Sequence, residues 1–136
     1  NIGFDAVLAQ MIYAGSDMFL MPSRFEPCGL GQLISLRYGT IPIVRETGGL
    51  ADTIVDYSPD NPESNGFVFV DYKPSAFWKA IERALDVFAQ KNEWNRLVRT
   101  ALSSDFSWSA SAGKYEEFYR EAIDLRRSSA TFVKAA

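Results

Sequence analysis

The chain has 136 residues, of which 47% are apolar, 14% aromatic and 23% charged, and its formal net charge is −3. This length suits one compact domain that buries about two-thirds of its unfolded surface, and the apolar content excludes a disordered tail. No apolar run approaches the ~18 residues that span a bilayer, and no basic excess marks a nucleic-acid surface. We therefore expect a soluble domain that binds neither a membrane nor nucleic acid.

The first predicted elements are a helix and a strand. Apolar side chains at helical spacing predict a helix over residues 5–14, with Gly15 as its C-terminal stop. The run Met18-Phe19-Leu20-Met21 ends at Pro22 and is typical of a strand that is covered on both faces.

A second helix and a second strand follow. The apolar residues between Leu30 and Leu36 predict a helix that stops at Gly39. Ile41-Pro42-Ile43-Val44 is predicted as a second buried strand. Because Pro42 cannot donate a ladder hydrogen bond, we expect it to be the first residue of that strand.

The third helix and strand are separated by a long loop. A short helix is predicted directly after Thr47-Gly48-Gly49. Residues 58–66 are rich in Pro, Asn, Asp, Ser and Gly, which predicts an exposed loop. Phe67-Val68-Phe69-Val70 is predicted as the third strand.

Helices are predicted for the rest of the chain. A helix over residues 76–90 is expected to bury one stripe, made of Phe77, Ile81, Ala84, Leu85 and Phe88. The next helix contains Trp94, Leu97, Val98 and Ala101. The last helix, over residues 110–124 and capped by Ser107 or Ser109, carries apolar residues expected in a core: Tyr115, Phe118, Tyr119, Ala122 and Ile123. We expect residues 128–136 to form a frayed tail.

The alternation of strands and helices predicts an α/β fold with a parallel sheet and right-handed crossovers. Three strands are few for a doubly wound sheet, which usually has about five or six. The sequence also begins at Asn1 within apparent structure. We therefore predict that residues 1–127 are the distal part of a longer Rossmann-like domain.

Two residue types restrict the chemistry. The sequence contains no histidine, so a Ser-His-Asp triad, a Cys-His dyad or a His-ligated zinc site cannot be completed from this chain alone. Its single cysteine, Cys28, permits no internal disulfide, which fits a reducing compartment. We predict neither a metal site nor a cofactor.

A ligand site is expected beyond the carboxyl ends of the strands, where open α/β sheets bind ligands. There, Gly29 and Gly31 flank the start of a helix, so the backbone N–H groups of residues 29–32 can hold an anion. Glu26 precedes this cradle, and its carboxylate suits a ligand that has hydroxyl groups beside its anionic part. The pattern therefore favours a sugar phosphate or a nucleotide sugar.

Other interpretations of these residues stay open. Glu26 could serve only as a favourable charge near the helix N-terminus. Arg24 and Arg45 could face solvent or pair with Glu26 or Glu46 instead of binding phosphate. Phe4 could lie in the core or form an exposed stacking platform.

Three stretches resemble bacterial glycogen synthases and plant starch synthases: Pro22-Ser23-Arg24-Phe25-Glu26-Pro27-Cys28-Gly29-Leu30, Arg37-Tyr38-Gly39-Thr40-Ile41-Pro42 and Val44-Arg45-Glu46-Thr47-Gly48-Gly49-Leu50-Ala51-Asp52-Thr53. These are retaining glycosyltransferases of the GT-B architecture that transfer glucose from ADP-glucose to the non-reducing end of an α-1,4-glucan. The resemblance implies that the chain is the distal half of the C-terminal Rossmann-like lobe. It also implies a cytoplasmic location in a bacterium, or a plastid if the parent enzyme is from a plant.

The resemblance implies roles for residues of the first loop. Glu26 resembles the family's essential carboxylate, which hydrogen-bonds the hydroxyls of the donor glucose and orients the sugar. The backbone of Cys28, Gly29 and Leu30 would contact the glucose and the diphosphate.

It also implies roles for residues around that loop. The N–H groups of Gly31 and Gln32 would hold the phosphates, although many family members have Thr or Ser in place of Gly31. Phe4 aligns with an aromatic residue that stacks on adenine in relatives. The loop Thr47, Gly48 and Gly49 would close over the cleft near donor and acceptor.

The chain also departs from the family pattern. The Arg and Lys that neutralise the leaving diphosphate, and the His and Lys-x-Gly-Gly loop of the cleft, are not in this sequence. We therefore expect the chain to need the N-terminal lobe of its parent enzyme and to be inactive alone. Two alternatives are another GT-B enzyme that uses a UDP-sugar and a non-catalytic nucleotide- or glucan-binding module.

Overall fold

The computed structural model describes residues 2–3 and 5–134. The chain divides into two compact units, residues 1–104 (unit 1) and residues 105–136 (unit 2). Their elements in chain order are α1 (Ala6–Gly15), β1 (Met18–Met21), α2 (Gly31–Tyr38), β2 (Ile41–Arg45), α3 (Gly49–Thr53), β3 (Phe67–Phe69), α4 (Pro74–Phe88), α5 (Lys91–Ser103) and α6 (Trp108–Lys134). The predicted α/β class and all three predicted strands are confirmed.

The sheet of unit 1 is parallel, with the strand order β1-β2-β3. Met18 pairs with Ile41, and Ile43 pairs with Phe67. The central strand β2 is buried up to its last residue. The expectation that β1 is covered on both faces is wrong for this chain, because Leu20 is 49% exposed.

Pro42 is the second residue of β2, whereas the sequence predicts it as the first. Adjacent residues of a parallel strand bond alternately to its two neighbours. Since the N–H of Ile41 donates to the carbonyl of Asp17, which precedes β1, Pro42 faces the side of β3. Pairing with β3 begins only at Ile43, so the missing N–H of Pro42 leaves no ladder hydrogen bond unmade.

Two predicted glycine stops are confirmed. Helix α1 ends at Gly15, and its start is capped by Asp5, whose carboxylate accepts from the N–H groups of Val7 and Leu8 at 3.0 Å. Gly39 ends α2 in the left-handed conformation, with φ of 75°.

Helix α4 buries a stripe that matches the predicted one in part, since Ala84 is buried as predicted. It turns the small side chains of Ala80 and Ala84 into the core, whereas Leu85 and Phe88 are 50% and 42% exposed. The prediction is wrong for Leu85 and Phe88, since small residues let the helix approach the sheet more closely than large ones. Two other predicted residues pack half-buried against the core, namely Phe77 and Ile81.

Helix α5 contributes the core residues that the sequence predicts. Trp94, Leu97 and Ala101 are buried, and Val98 packs against them. The Trp94 ring meets the ring of Phe88 edge-on at 5.0 Å.

The loop over residues 58–66 is only partly exposed, so that prediction is wrong at its second half. Ser64 and Asn65 are buried. The Asn65 side chain accepts from the N–H of Val55 at 2.8 Å and donates to the carbonyl of Thr53 at 3.1 Å. These bonds satisfy backbone groups after α3, which explains why polar side chains lie inside.

A polar cluster on α5 holds the first half of the same loop. Arg96 donates to the carboxylate of Glu93 at 2.9 Å and to the carbonyls of Pro59 and Asn61. The hydroxyl of Tyr57 also donates to Glu93. The hydrogen bond from Arg96, followed by that from Tyr57, lowers the pKa of Glu93, while burial raises the pKa of Tyr57.

Unit 2 consists of α6 and the residues that lead into it. Ser107 is the cap, because its Oγ accepts from the N–H of Ala110 at 3.2 Å. The helix runs to Lys134, beyond the predicted end at residue 124. The side chains predicted for a core are exposed instead: Tyr115, Phe118, Tyr119, Ala122 and Ile123. That residues 128–136 fray stays a prediction.

Within residues 2–3 and 5–134, no helix is both long enough and apolar enough to cross a membrane.

Candidate functional site

The candidate site lies where β1 and β2 end. We call residues 22–30, which lead from β1 into α2, the first loop, and residues 46–48, which lead from β2 into α3, the second loop. Because β1 and β2 are parallel neighbours, both loops leave the same edge of the sheet. This is the edge at which the sequence predicts a ligand site.

The two loops are in direct backbone contact. The N–H of Gly49 donates to the carbonyl of Pro27 at 3.1 Å. A Cβ atom at Gly48 would overlap the carbonyl oxygen of Glu26, and one at Gly49 would overlap that of Cys28. Only glycine fits this contact, so the structure brings together the two segments that the sequence singles out separately.

The start of α2 has the geometry of an anion cradle. Gly29 adopts the left-handed conformation, with φ of 72°, and thereby turns the chain into the helix. Within the part of the chain that the structure describes, no side chain caps the helix at Leu30. The N–H groups of the first turn, which begins at Gly31, are therefore left for an external acceptor.

Gly31 packs closely against side chains beneath this turn. A Cβ atom there would lie 3.2 Å from the ring of Phe19 and 3.2 Å from the hydroxyl of Tyr13. These two rings are in contact with each other, tilted by 50°, with 4.9 Å between their centroids. The tight fit gives a physical reason for glycine where many relatives are expected to have Thr or Ser.

Glu26 is half-buried in the first loop. The hydroxyl of Ser23 donates to its Oε2 at 3.5 Å. Among residues 2–3 and 5–134, no salt bridge to Glu26 forms, so the alternative pairing with Arg24 or Arg45 is absent. Its carboxylate thus keeps acceptor capacity for hydroxyl groups of a ligand.

Arg45 holds the first loop in place. Its Nε donates to the carbonyl of Ser23 at 2.8 Å, and its Nη2 donates to the carbonyl of Arg24 at 2.6 Å. The guanidinium also lies 5.7 Å from the centre of the Tyr72 ring. The sequence did not predict this tie, since it joins residues more than twenty positions apart.

Gln32 has a buried side chain, in addition to the backbone N–H for which the sequence selects it. Its Nε2 lies 3.1 Å from the carbonyl oxygen of Cys28, 3.2 Å from that of Gly29 and 3.3 Å from Oγ1 of Thr53. Its Oε1 is buried without a hydrogen-bond partner among the described residues. The side chain therefore supports the first loop from below.

The remaining predicted site residues are placed as follows. The thiol of Cys28 is exposed, and the side chain of Leu30 is 71% exposed. Thr47 accepts from the N–H of Leu50 through its carbonyl. Phe4 lies outside the described residues.

An apolar cavity of about 300 Å³ lies at the same end of the sheet. It is lined by Pro22, Phe69, Tyr72, Lys73, Pro74 and Phe77. The sequence does not reveal this cavity, because its lining combines β3, the start of α4, the residues between them and the residue that follows β1. In the described part of the chain, no cluster of three or more His, Cys, Asp or Glu side chains could hold a metal ion.

Known proteins match most of the chain. Residues 6–99 match the family of glycosyl transferases, group 1. The chain is 61% identical to a glycogen synthase of Moorella thermoacetica over 129 residues, which is 94% of this chain and 26% of that protein. It is 63% identical to a glycogen synthase of Desulforudis audaxviator over 125 residues, or 91% of this chain and 25% of that protein. The chain thus spans about a quarter of the length of these relatives.

Solved structures indicate the same relationship as the sequence relatives. The catalytic domain of starch synthase IV from Arabidopsis thaliana, bound to ADP and acarbose, superposes with a TM-score of 0.78 at 44% identity, over 90% of this chain and 26% of that chain. A sucrose-phosphate synthase from Thermosynechococcus elongatus gives a TM-score of 0.62 at 25% identity, over 90% of this chain and 29% of that chain. The parallel sheet and its helices match the C-terminal Rossmann-like lobe of the GT-B architecture. The chain belongs to the family of glycosyl transferases, group 1, and within that family it resembles the glycogen and starch synthases.

Proposed function

We propose that this chain is the donor-binding part of a retaining glycogen or starch synthase, which transfers glucose from ADP-glucose to the non-reducing end of an α-1,4-glucan. The remaining partner is the N-terminal lobe of the same enzyme. The bacterial relatives favour a cytoplasmic location.

One observation carries the proposal. The first loop, which leads into the uncapped start of α2, presents a half-buried carboxylate, Glu26. A helix N-terminus favours the negative charge of a diphosphate. A carboxylate without a cationic partner suits neutral hydroxyl groups, which lie on the sugar next to that diphosphate. The relative bound to ADP and acarbose supports a nucleotide and a glucan-like ligand for this fold.

The mechanism assigns a separate task to each part of the site. The first-turn N–H groups of α2 would bind the departing diphosphate as its negative charge grows. Glu26 would accept hydrogen bonds from glucose hydroxyls, and these would strengthen as the sugar ring gains positive charge. The second loop, which contacts the first through Gly48 and Gly49, would fix the carbonyl groups around the sugar.

A UDP-sugar transferase is the second candidate, favoured by the likeness to a sucrose-phosphate synthase. The higher identity and TM-score with the starch synthase favour ADP-glucose. Calorimetric titration with ADP, UDP and maltooligosaccharide separates the candidates. Tighter binding of UDP would contradict the proposal, whereas binding of maltooligosaccharide alone would indicate a non-catalytic glucan-binding module.

Glu26→Gln tests the role of the carboxylate in a complete enzyme. Such an enzyme can be made by replacing the matched 129 residues of the M. thermoacetica glycogen synthase with this chain. Loss of one or two charge-assisted hydrogen bonds, each worth about 1.5–3 kcal/mol, predicts a fall in kcat of about 10- to 10⁴-fold. ADP carries no glucose, so its affinity should hold or increase.

Glu82→Gln is the matched control, since Glu82 is an exposed glutamate on α4, outside the two loops, and should leave kcat within about twofold. A tenfold loss of ADP affinity in Glu26→Gln with kcat unchanged would place Glu26 on the nucleotide and contradict the assignment. The isolated chain should transfer no labelled glucose from ADP-glucose to glycogen above a Glu26→Ala control.

A further inference from the structure

The buried amide of Gln32 joins the two loops of the site. Its Nε2 lies within hydrogen-bond distance of the carbonyl oxygens of Cys28 and Gly29 and of Oγ1 of Thr53. The hydroxyl of Thr53 in turn donates to the carbonyl of Gly49 at 2.6 Å. A continuous chain of hydrogen bonds therefore runs from the first loop to the residue that follows the second loop.

This arrangement is unfavourable for a residue that only fills the core. Gln32 is fully buried, and its Oε1 has no hydrogen-bond partner among the residues that the structure describes. A buried acceptor without a partner costs stability that an apolar side chain of the same size would not lose. The benefit of glutamine here lies in its nitrogen, whose two N–H groups can be donated to a carbonyl of the first loop and to the hydroxyl of Thr53.

The same bonds act next to Glu26. Cys28 lies two residues after Glu26. The N–H of Gly49 donates to the carbonyl of Pro27, the residue between Glu26 and Cys28. If the carbonyls of Cys28 and Gly49 lose their partners, the loops can separate and the carboxylate can move. Small displacements of a catalytic group are costly for rate, since about 1 Å can reduce it on the order of 100-fold.

We propose that Gln32 and Thr53 are positioning residues that act through this chain of hydrogen bonds to fix Glu26 against the donor sugar. The proposal rests on the proposed function, because it assumes that Glu26 contacts the sugar. It predicts an effect on kcat that exceeds any effect on ADP affinity, since neither side chain is expected to touch the nucleotide.

The test uses the complete enzyme described for Glu26. Thr53→Val removes the hydroxyl and keeps the shape of the side chain, whereas Thr53→Ser keeps the hydroxyl. Gln32→Met keeps the length of the side chain and removes the donor. We expect kcat to fall about 10- to 100-fold in Thr53→Val and Gln32→Met, with the dissociation constant of ADP within about threefold, and Thr53→Ser to restore most of the activity.

Thr40→Val is the matched control. The side chain of Thr40 is buried, and its hydroxyl lies 2.5 Å and 2.8 Å from the carbonyl oxygens of Tyr13 and Ser16. Thr40 precedes the amino end of β2, away from the site. This variant should lose stability as Thr53→Val does while keeping the wild-type kcat. An equal loss of kcat in both valine variants would reduce Thr53 to a stability role and overturn the proposal.

Hydrogen exchange measured by mass spectrometry on the same enzyme gives a readout that does not depend on the reaction. In Thr53→Val and Gln32→Met, the amide of Gly49 should exchange at least about tenfold faster, with amides of β2 unchanged. Unchanged exchange at Gly49 overturns the proposal even if kcat falls. An inactive unsubstituted enzyme contradicts the proposed function instead, and the exchange result then decides whether the two side chains join the loops.

Discussion

Gly49→Ala should loosen the contact between the two loops and destabilise unit 1. Its Cβ atom would lie 1.9 Å from the carbonyl oxygen of Cys28, 2.5 Å from the carbonyl carbon and 2.7 Å from the Cα atom of the same residue, all of which are backbone atoms. Backbone cannot rotate away as a flexible side chain can, so the loops must move apart. That movement also breaks the hydrogen bond from Gly49 to Pro27.

The magnitude follows from two costs. Forcing an extra methyl group into a packed site costs about 1–3 kcal/mol, and losing one hydrogen bond costs about 0.5–1.5 kcal/mol. Together they lower the free energy of unfolding by about 1.5–4.5 kcal/mol. With an m value of about 2 kcal/mol/M, the midpoint of urea unfolding should fall by about 1–2 M.

Tryptophan fluorescence follows this transition, because Trp94 is buried in the core of unit 1. Gly15→Ala is the control: a Cβ atom at Gly15 meets nothing within 4 Å, so its midpoint should stay within about 0.3 M of the wild type. An equal midpoint for Gly49→Ala and Gly15→Ala would show that the loops do not pack as described.

Two further predictions concern α5 and α6. Arg96 and Tyr57 lower the pKa of Glu93 in the folded chain from its usual value of 4.5. The ionised carboxylate therefore stabilises the fold above pH 4.5, and this stabilisation is lost as the pH falls through the pKa of the folded chain. Glu93→Gln should therefore flatten the acid side of the stability profile, measured as urea midpoints at neutral and acidic pH, and an unchanged slope contradicts the pairing. Ser107→Ala removes the hydroxyl that accepts from Ala110 and should cost α6 about 0.5–2 kcal/mol, visible as lower far-ultraviolet ellipticity and absent in Ser107→Asp.

The strands and helix ends could be predicted from the sequence because their signals are local. The four-residue run of β1 is bounded by polar residues and Pro22, and Gly39 adopts the φ that few other residues tolerate. The buried face of a helix is more difficult to predict, as α4 shows. The large apolar side chains of Leu85 and Phe88 were expected in the core, whereas the helix buries the small side chain of Ala80 there.

The candidate site could be predicted as a set of segments but not as an arrangement. The sequence predicts a loop at Gly48 and Gly49. It does not show why both residues are glycine, because the carbonyl groups that they contact belong to the first loop, more than twenty residues earlier. The tie from Arg45 to Ser23 and the bonds from Gln32 to Thr53 likewise join distant residues. These hydrogen-bond partners come together only when the strands pair. Residue types alone therefore could not decide whether Arg45 faces solvent, pairs with a glutamate or binds phosphate.

The position of β1 has a practical consequence for anyone who handles this chain by itself. In the described sheet, β1 pairs with β2 on one side only, so the backbone N–H and C=O groups on its other side form a bare edge. The edge is apolar, Met-Phe-Leu-Met, and carries no lysine or inward-pointing charge to discourage another strand from joining it. Isolated samples will therefore tend to self-associate through β-strand addition, and mild denaturant or a charged substitution at the exposed Leu20 is the first measure to keep them monomeric.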